Sequence, residues 1–404
     1  KRINKMTQKL TSTMLTSLTA SKLTGALPAI SGSSLTDAPG GSGATISSSD
    51  PLITTNPAGG VGTLWSNSTT GEVLVCTDAT TNENVWTNVG GGSGFVHKTS
   101  GFAGEIAGYV ANGVSPATPH ENTISRFAFA SDSSSTDHGD MVTGTYGAGA
   151  SSSQTHGYCA GGYNSTVPQR KSRIEKFTFA SASSSTTHGD LNQSLDNWCG
   201  TSSATHGFVA GGYSPSTTSI DKYAFASNTT GSDWATLSIA RQNSSVGHNS
   251  STDGFDAGGN SDPGAGTRLS VIDKYNFASA NTSATHGDLD VAKSTAGALS
   301  SATDGYSCGG STAPSNTWGG VSTISKFSFA SNTTAVATGA DLIVGKTPGG
   351  SHSGRAHGFL SGGSNNTAPN IKSGIEKYTY ASSSNTTDHG NLTIAVTVCT
   401  GHQL

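Results

Sequence analysis

The chain has 404 residues, of which 11% are charged, 32% are hydrophobic and 54 are glycine, with a formal net charge of −4. That length suits two or three domains or one long repeat array, and 25 acidic against 21 basic residues leave no electrostatic footprint for nucleic acid. No run reaches the roughly 18 apolar residues of a membrane helix, and regularly recurring aromatics with so little net charge exclude a disordered chain.

The stretch KRINKMTQKLTSTMLTSLTASKLTGALPA (1–29) imitates a secretion leader, with a basic head and small residues near Ala29. Thr, Ser and Lys22 interrupt its centre, so it makes a poor leader. Leu10, Met14 and Leu18, four apart, predict a short helix over 8–20. Residues 21–44 are rich in Gly, Pro and Ser and read as extended. Residues 1–36 are too thin to bury a core and read as an N-terminal attachment segment that docks on another chain. In GTLWSNSTTGEVLVCTDATTNENVWTNVGGGSG (62–94), apolar and polar residues alternate around TTGE and TNEN turns. A β-hairpin or three-stranded module ending in a Gly-rich linker is expected there, so 37–94 is read as a small β stem module.

From residue 95 the chain repeats. THGYCAGGYNS (155–165) has near copies at 205–215, 252–262 and 356–366, and the glycine before the aromatic recurs as Gly108, Gly157, Gly207, Gly254, Gly305 and Gly358. A period near 50 marks a repeat architecture, and kelch-type propellers have about that length. A second landmark, ISRFAFAS (124–131), IEKFTFAS (174–181), IDKYAFAS (220–227), IDKYNFAS (272–279), ISKFSFAS (324–331) and IEKYTYAS (375–382), puts two aromatics on one strand face. Apolar groups on both faces suit a sheet packed on both sides. A third landmark reads TDHGD, TTHGD, ATHGD and TDHGN near residues 136, 186, 284 and 387. Each repeat therefore predicts an inner strand, a Gly-Gly strand, an aromatic strand and an outer strand. The paired glycines Gly161 and Gly162, Gly211 and Gly212, Gly258 and Gly259, Gly309 and Gly310, and Gly362 and Gly363 read as architectural. Near a crowded centre they allow close backbone approach and a sharp exit into a turn. The tail VTVCTGH (396–402) is an orphan inner strand, expected to pair into the first repeat in competition with residues 95–107.

The pattern HGY/F-x-x-GG, I-D/E-K-F/Y-x-F-A-S, HGD resembles kelch-like repeat virion proteins of marine bacteriophages, cyanophages among them. KLTGALPAISGSSLT (22–36) and the 62–94 module are similar to segments of phage fibre proteins. The resemblance implies an all-β fold with a six-bladed kelch-like β-propeller over 95–404. It further implies a non-enzymatic virion appendage, such as a tail fibre, that attaches to a host surface. Its expected partners are other virion proteins through the N-terminal segment, two further copies in a homotrimer, and a host cell-surface glycan or protein. A purely structural virion component is the alternative reading, with a secreted bacterial adhesin behind it; neither nucleic acid nor membrane insertion is expected.

The residues carry little sign of catalysis. No Gly-x-Ser-x-Gly, His-Glu-x-x-His or phosphate-binding loop is present, and no Tyr/Cys pair stands out for the copper chemistry of some kelch propellers. The His-Gly-Asp steps are read as turns with local side-chain hydrogen bonds rather than as cation sites. The acidic and basic neighbours in the aromatic strand, such as Glu175 and Lys176, are read as pairing between neighbouring sheets. Five widely spaced cysteines, Cys76, Cys159, Cys199, Cys308 and Cys399, read as small buried residues, so neither metal nor cofactor is expected. The irregular loops after the Gly-Gly strands are the contact candidates. Tyr163, Tyr213 and Trp318 offer faces for sugar rings, and Arg170 and Lys171 can hold acidic groups.

Overall fold

A computed structural model of the chain describes residues 44–89, 104–213, 216–242, 247–261, 267–313, 320–365 and 367–404. The attachment segment 1–36 and the helix expected over 8–20 lie outside the described residues. Among the described residues all regular structure is β, and the chain divides into two units, Lys1–His97 and Lys98–Leu404.

In the smaller unit, Thr45–Ser47, Leu64–Asn67, Val73–Asp78 and Val85–Asn88 form one four-stranded sheet in that order. The first strand is an addition to the expected module: it pairs in parallel with Leu64–Asn67. Three residues are too few to show alternation, yet β-branched Thr45 and Ile46 favour the extended form. Leu74, Cys76 and Trp86 are buried together, and Trp65 meets Trp86 edge-on at 5.8 Å.

In the larger unit, six four-stranded antiparallel sheets follow one another in a propeller-like arrangement. Sheet 1 consists of Thr400–Gln403, Ala107–Ala111, Thr123–Ala128 and Thr136–Asp140. Sheet 2 is Gly149–Ser152, His156–Ala160, Arg173–Thr178 and Thr186–Asp190; sheet 3 is Asp196–Ser202, His206–Tyr213, Thr217–Ala224 and Ser232–Arg241. Sheet 4 is His248–Asn249, Asp253–Ala257, Val271–Asn276 and Ala284–Asp288; sheet 5 is Gly297–Ser300, Asp304–Cys308, Thr323–Ser328 and Val336–Asp341. Sheet 6 is Gly350–Ser353, His357–Ser361, Gly374–Thr379 and Thr387–Asn391. Sheet 1 alone takes its first strand from the chain's far end, where Thr400 to Gln403 pair with Ala111 to Gly108. The tail fills that slot; of the competing stretch 95–107, residues 95–103 lie outside the described residues.

The repeated aromatics explain why the sheets keep this order. On the third strand, residues i and i+2 share a face, so the acid and both rings point to the preceding sheet while Ile points to the following one. The second ring then stacks on the aromatic that follows the glycine in the preceding sheet. Tyr109 stacks on Phe179 at 4.6 Å, Tyr158 on Phe225 at 4.5 Å and Phe208 on Phe277 at 4.8 Å. Phe255 stacks on Phe329 at 4.7 Å, Tyr306 on Tyr380 at 5.0 Å and, back to sheet 1, Phe359 on Phe129 at 4.3 Å. Each such pair contributes roughly 0.5–1.5 kcal/mol beyond the area it buries. The glycine itself faces the first ring across the strand pair: a Cβ on Gly157 would stand 2.4 Å from the Phe177 ring. The first strands close the same circuit by hydrogen bonds, sheet 6 to sheet 1 through His352 Nδ1 donating to His402 O. Backbone N–H groups of Ser152, Ser202, Asn249 and Ser300 donate to side-chain oxygens of Ser202, Asn249, Ser300 and Ser353, and Gln403 donates to Ser152.

The His-Gly-Asp steps are strands, which corrects their reading as turns. His138, His188, His286 and His389 lie in the fourth strands and are buried. Their Nε2 donates to the carbonyls of Thr178, Ala224, Ser328 and Ala128, each in the next sheet, at 2.7–2.9 Å. In sheet 3, Trp234 Nε1 takes this role toward Asn276 O at 3.3 Å. The glycine bends the strand at a register shift and brings it against its neighbour. At Gly139, with φ of +121°, a Cβ would lie 2.5 Å from Ser183 O.

Candidate functional site

The second and third strands are joined at the end where the chain crosses from one sheet to the next. The double glycines belong to this end, and their crowding comes from the crossing segments. Gly258 has φ of +70°, and a Cβ on it would stand 2.4 Å from Lys293 O. Both the left-handed backbone and the close approach require glycine.

The strand acids are also consumed here, so they do not pair with the strand bases as expected. The Oε2 of Glu175 accepts Val142 N–H at 3.0 Å and Ser185 Oγ–H at 2.7 Å, tying sheet 2 to the end of sheet 1's fourth strand. Asp221, Asp273 and Glu376 accept Asn192, Ser238 and Ile343 N–H groups in the same way. Three acceptor sites between sheets are filled by buried cations from the crossings. Arg241 reaches Asp273 at 2.8 Å, Lys346 reaches Glu376 at 3.0 Å, and Lys293 donates to Ser307 O and Ser325 Oγ. Burial holds the Lys293 ammonium below the usual lysine range. Asp221 faces Leu195's crossing rather than a cation, and burial pushes its carboxyl up to about 6. The strand bases turn elsewhere: Lys274 to Asp253, Lys326 to Asp304, Lys377 to Asp132, and Lys222 onto the Trp234 ring at 3.6 Å.

Between sheets 1 and 2 the same end opens into a cavity of about 420 Å³. Glu175 and Thr145 line it, with Arg170, Lys171 and Arg173 from the 163–173 loop and its exit. Beside it runs a half-buried ladder of rings. His120 stacks on Tyr146 at 5.9 Å, and Tyr146 lies 5.1 Å from Tyr163. Arg170 then stands over both Tyr163, at 5.9 Å, and Tyr213, at 5.0 Å. Arg170 Nε also binds Asp196 at 2.9 Å. Burial raises the Asp196 carboxyl pKa, and the guanidinium opposes that rise.

Three of the five contact candidates thus meet: Tyr163, Arg170 and Tyr213, drawn from sheets 2 and 3. Lys171 folds onto its own loop, donating to the carbonyls of Thr166 and Pro168. Its counterpart Lys372 likewise donates to Thr367 O, so the 163–173 and 364–374 loops share one construction. Trp318 lies outside the described residues. Sequence reasoning missed His120, Tyr146, Asp196 and the unfilled side of Glu175. His120 and Tyr146 were detectable as aromatic-type residues standing outside the repeat; the cavity was not, because it depends on a missing side chain. The five cysteines form no disulfide and are all buried, and burial pushes the Cys159, Cys308 and Cys399 thiols up to about 12. No family model matches the chain, and no curated protein matches it.

Proposed function

We propose that the larger unit is a six-bladed kelch-like propeller and that the chain is a non-enzymatic phage fibre protein, which attaches to a host surface through the crossing end of that propeller. The observation that carries the binding reading is the half-buried ladder of His120, Tyr146, Tyr163, Arg170 and Tyr213, mounted on a rigid scaffold and bordering a cavity. Flat rings interleaved with a guanidinium suit the faces and hydroxyls of sugars. Anchorage through residues 1–36 and assembly as a homotrimer rest on the resemblance to phage fibres. Contacts repeated over several copies turn weak single-site binding into firm attachment. Imaging of intact particles tests the reading: the ladder exposed at a distal tip, and host adsorption lost on replacing Tyr163 and Tyr213 by Ala, are the expected results. The ladder buried against other virion proteins would make the role purely structural, and absence of the chain from particles would overturn both.

A further inference from the structure

The six crossings can be compared position by position, because five of them are pinned to the preceding sheet by the same bond. Gly113, Gly162, Gly259, Gly310 and Gly363 donate their N–H to the carbonyls of Thr145, Leu195, Lys293, Lys346 and Val396. The crossing into sheet 4 places Arg241 at this position, where its carbonyl lies against Gly211. Arg241, Lys293 and Lys346 fill the space between sheets with a cation; Leu195 and Val396 fill it with hydrocarbon. Into sheet 2 the position is Thr145, which is too short to do either, and there the cavity opens.

The residues facing that cavity correspond in position to those that hold Arg241. Arg241 donates to the carbonyls of Asp256, Gly258 and Val271 and to the Asp273 carboxylate. The corresponding residues of sheet 2 are Cys159, Gly161, Arg173 and Glu175, and all four line the cavity. Glu175 also matches Glu376 atom for atom on its other side, where Oε2 takes a backbone N–H and a hydroxyl. In Glu376 the remaining Oε1 binds Lys346 Nζ at 3.0 Å. In Glu175 the cation nearest Oε1 is Arg173 Nη1, at 3.7 Å and on a side chain 46% exposed, against 5% for Glu175. A buried carboxylate is thus left with a distant, solvent-facing partner where its counterpart has a close, buried one. The other two cations at the cavity are engaged, Arg170 by Asp196 and Lys171 by loop carbonyls. Thr143, Thr166, Ser172 and Ser194 line part of the rest, beside the apolar Met141, Val167 and Pro168.

We infer that this cavity receives the positively charged amino group of a polyhydroxylated ligand, an amino sugar, whose ammonium takes the place that Lys346 fills between sheets 5 and 6 and displaces Arg173 from Glu175. The choice of a sugar rests on the attachment reading; the ammonium preference rests on Glu175 and the vacant crossing position.

Titration calorimetry of the full chain with glucosamine, N-acetylglucosamine and glucuronate tests it. Glucosamine is expected to bind, with N-acetylglucosamine, which keeps the ring and loses the charge, about tenfold weaker or worse. Glu175→Gln should lose a similar factor, and Arg173→Ala should tighten binding by removing the competing cation. Thr145→Lys tethers an ammonium in the cavity and should abolish glucosamine binding without lowering the melting temperature, which separates blockade from misfolding. Equal affinity for the charged and acetylated sugars, preference for glucuronate, no binding of glucosamine, or a Thr145→Lys protein that binds as the parent does would each overturn the inference. Adsorption of particles carrying Tyr163→Ala and Tyr213→Ala reads the attachment function separately, so either result can fail alone.

Discussion

Acid should loosen the larger unit with a slope that its buried histidines set. His248, His352 and His402 sit in or beside the first strands with no exposed surface. Their Nδ1 atoms donate to the carbonyls of Leu299, His402 and Ser151. Burial pushes their pKa values down to about 4, 3 and 4, respectively. Unfolded, each titrates at about 6.5. A folded value below the unfolded one means that the unfolded chain binds more protons, so stability is complete above pH 6.5 and falls as pH drops toward the folded values. Asp221 acts in the opposite sense. Its folded carboxyl, at about 6, holds a proton that the unfolded chain has released, so acidification relieves its burial cost. Near pH 5.5 the three imidazoles and the one carboxyl leave a net difference of about two protons, or about 3 kcal/mol per pH unit. Between pH 6.5 and 4.5 that amounts to about 5 kcal/mol, a large part of the roughly 5–15 kcal/mol that stabilises a typical domain. Urea unfolding followed by circular dichroism at half-unit pH steps measures the slope. His402→Gln should reduce it by roughly half and Asp221→Asn should steepen it by a comparable amount. A parent slope under about 1 kcal/mol per pH unit, or no response to either variant, would refute the reasoning.

Four further outcomes are expected. Gly258→Ala should cost at least about 2 kcal/mol, since it adds left-handed strain and a contact with Lys293 O; thermal unfolding reads it. Arg241→Met leaves Asp273 buried without its cation and should cost about 3–5 kcal/mol, whereas the double change with Asp273→Leu should recover much of the loss in the same assay. His188→Ala removes a buried ring and its bond to Ala224 O, for a loss of about 2–4 kcal/mol by urea unfolding. Removing residues 400–404 strips sheet 1 of its first strand and breaks the circuit at Gln403, so limited proteolysis should cut the shortened chain far faster. Unchanged cleavage would show that the circuit does not need that strand.

Much of the fold was legible because its causes repeat. A strand face must be written every second residue, and the glycine-aromatic step and the paired rings were written six times. The tail's role was legible for a related reason: VTVCTGH repeats an inner-strand phrase, and Thr400–Gln403 pairs into sheet 1 as such a strand. The His-Gly-Asp step misled because glycine is locally ambiguous. The same residue ends a turn or bends a strand toward its neighbour, and the choice is made by Ser183, Thr229, Thr333 and Ser133, each in the loop before another sheet's fourth strand.

The candidate site was harder to read, and the reason is physical. Tyr163, Arg170 and Tyr213 stood out as departures from the repeat, and a side chain the scaffold does not need is available for contact. The cavity is a departure of another kind. Thr145 is unremarkable in its own stretch, TGTYGAG, and Glu175 is one of four acids at its position. Only when the crossing residue is matched to the third-strand residue it meets in the next sheet does the series become informative: Leu195 with Asp221, Arg241 with Asp273, Lys293 with Ser325, Lys346 with Glu376, and Thr145 with Glu175. Leu195 and Asp221 answer a missing cation with hydrocarbon and a raised carboxyl pKa. Thr145 and Glu175 leave the space open instead. An acid kept without its buried cation is costly to stability, and that cost lies beside the half-buried ring ladder at this end, where the proposed ammonium would offset it.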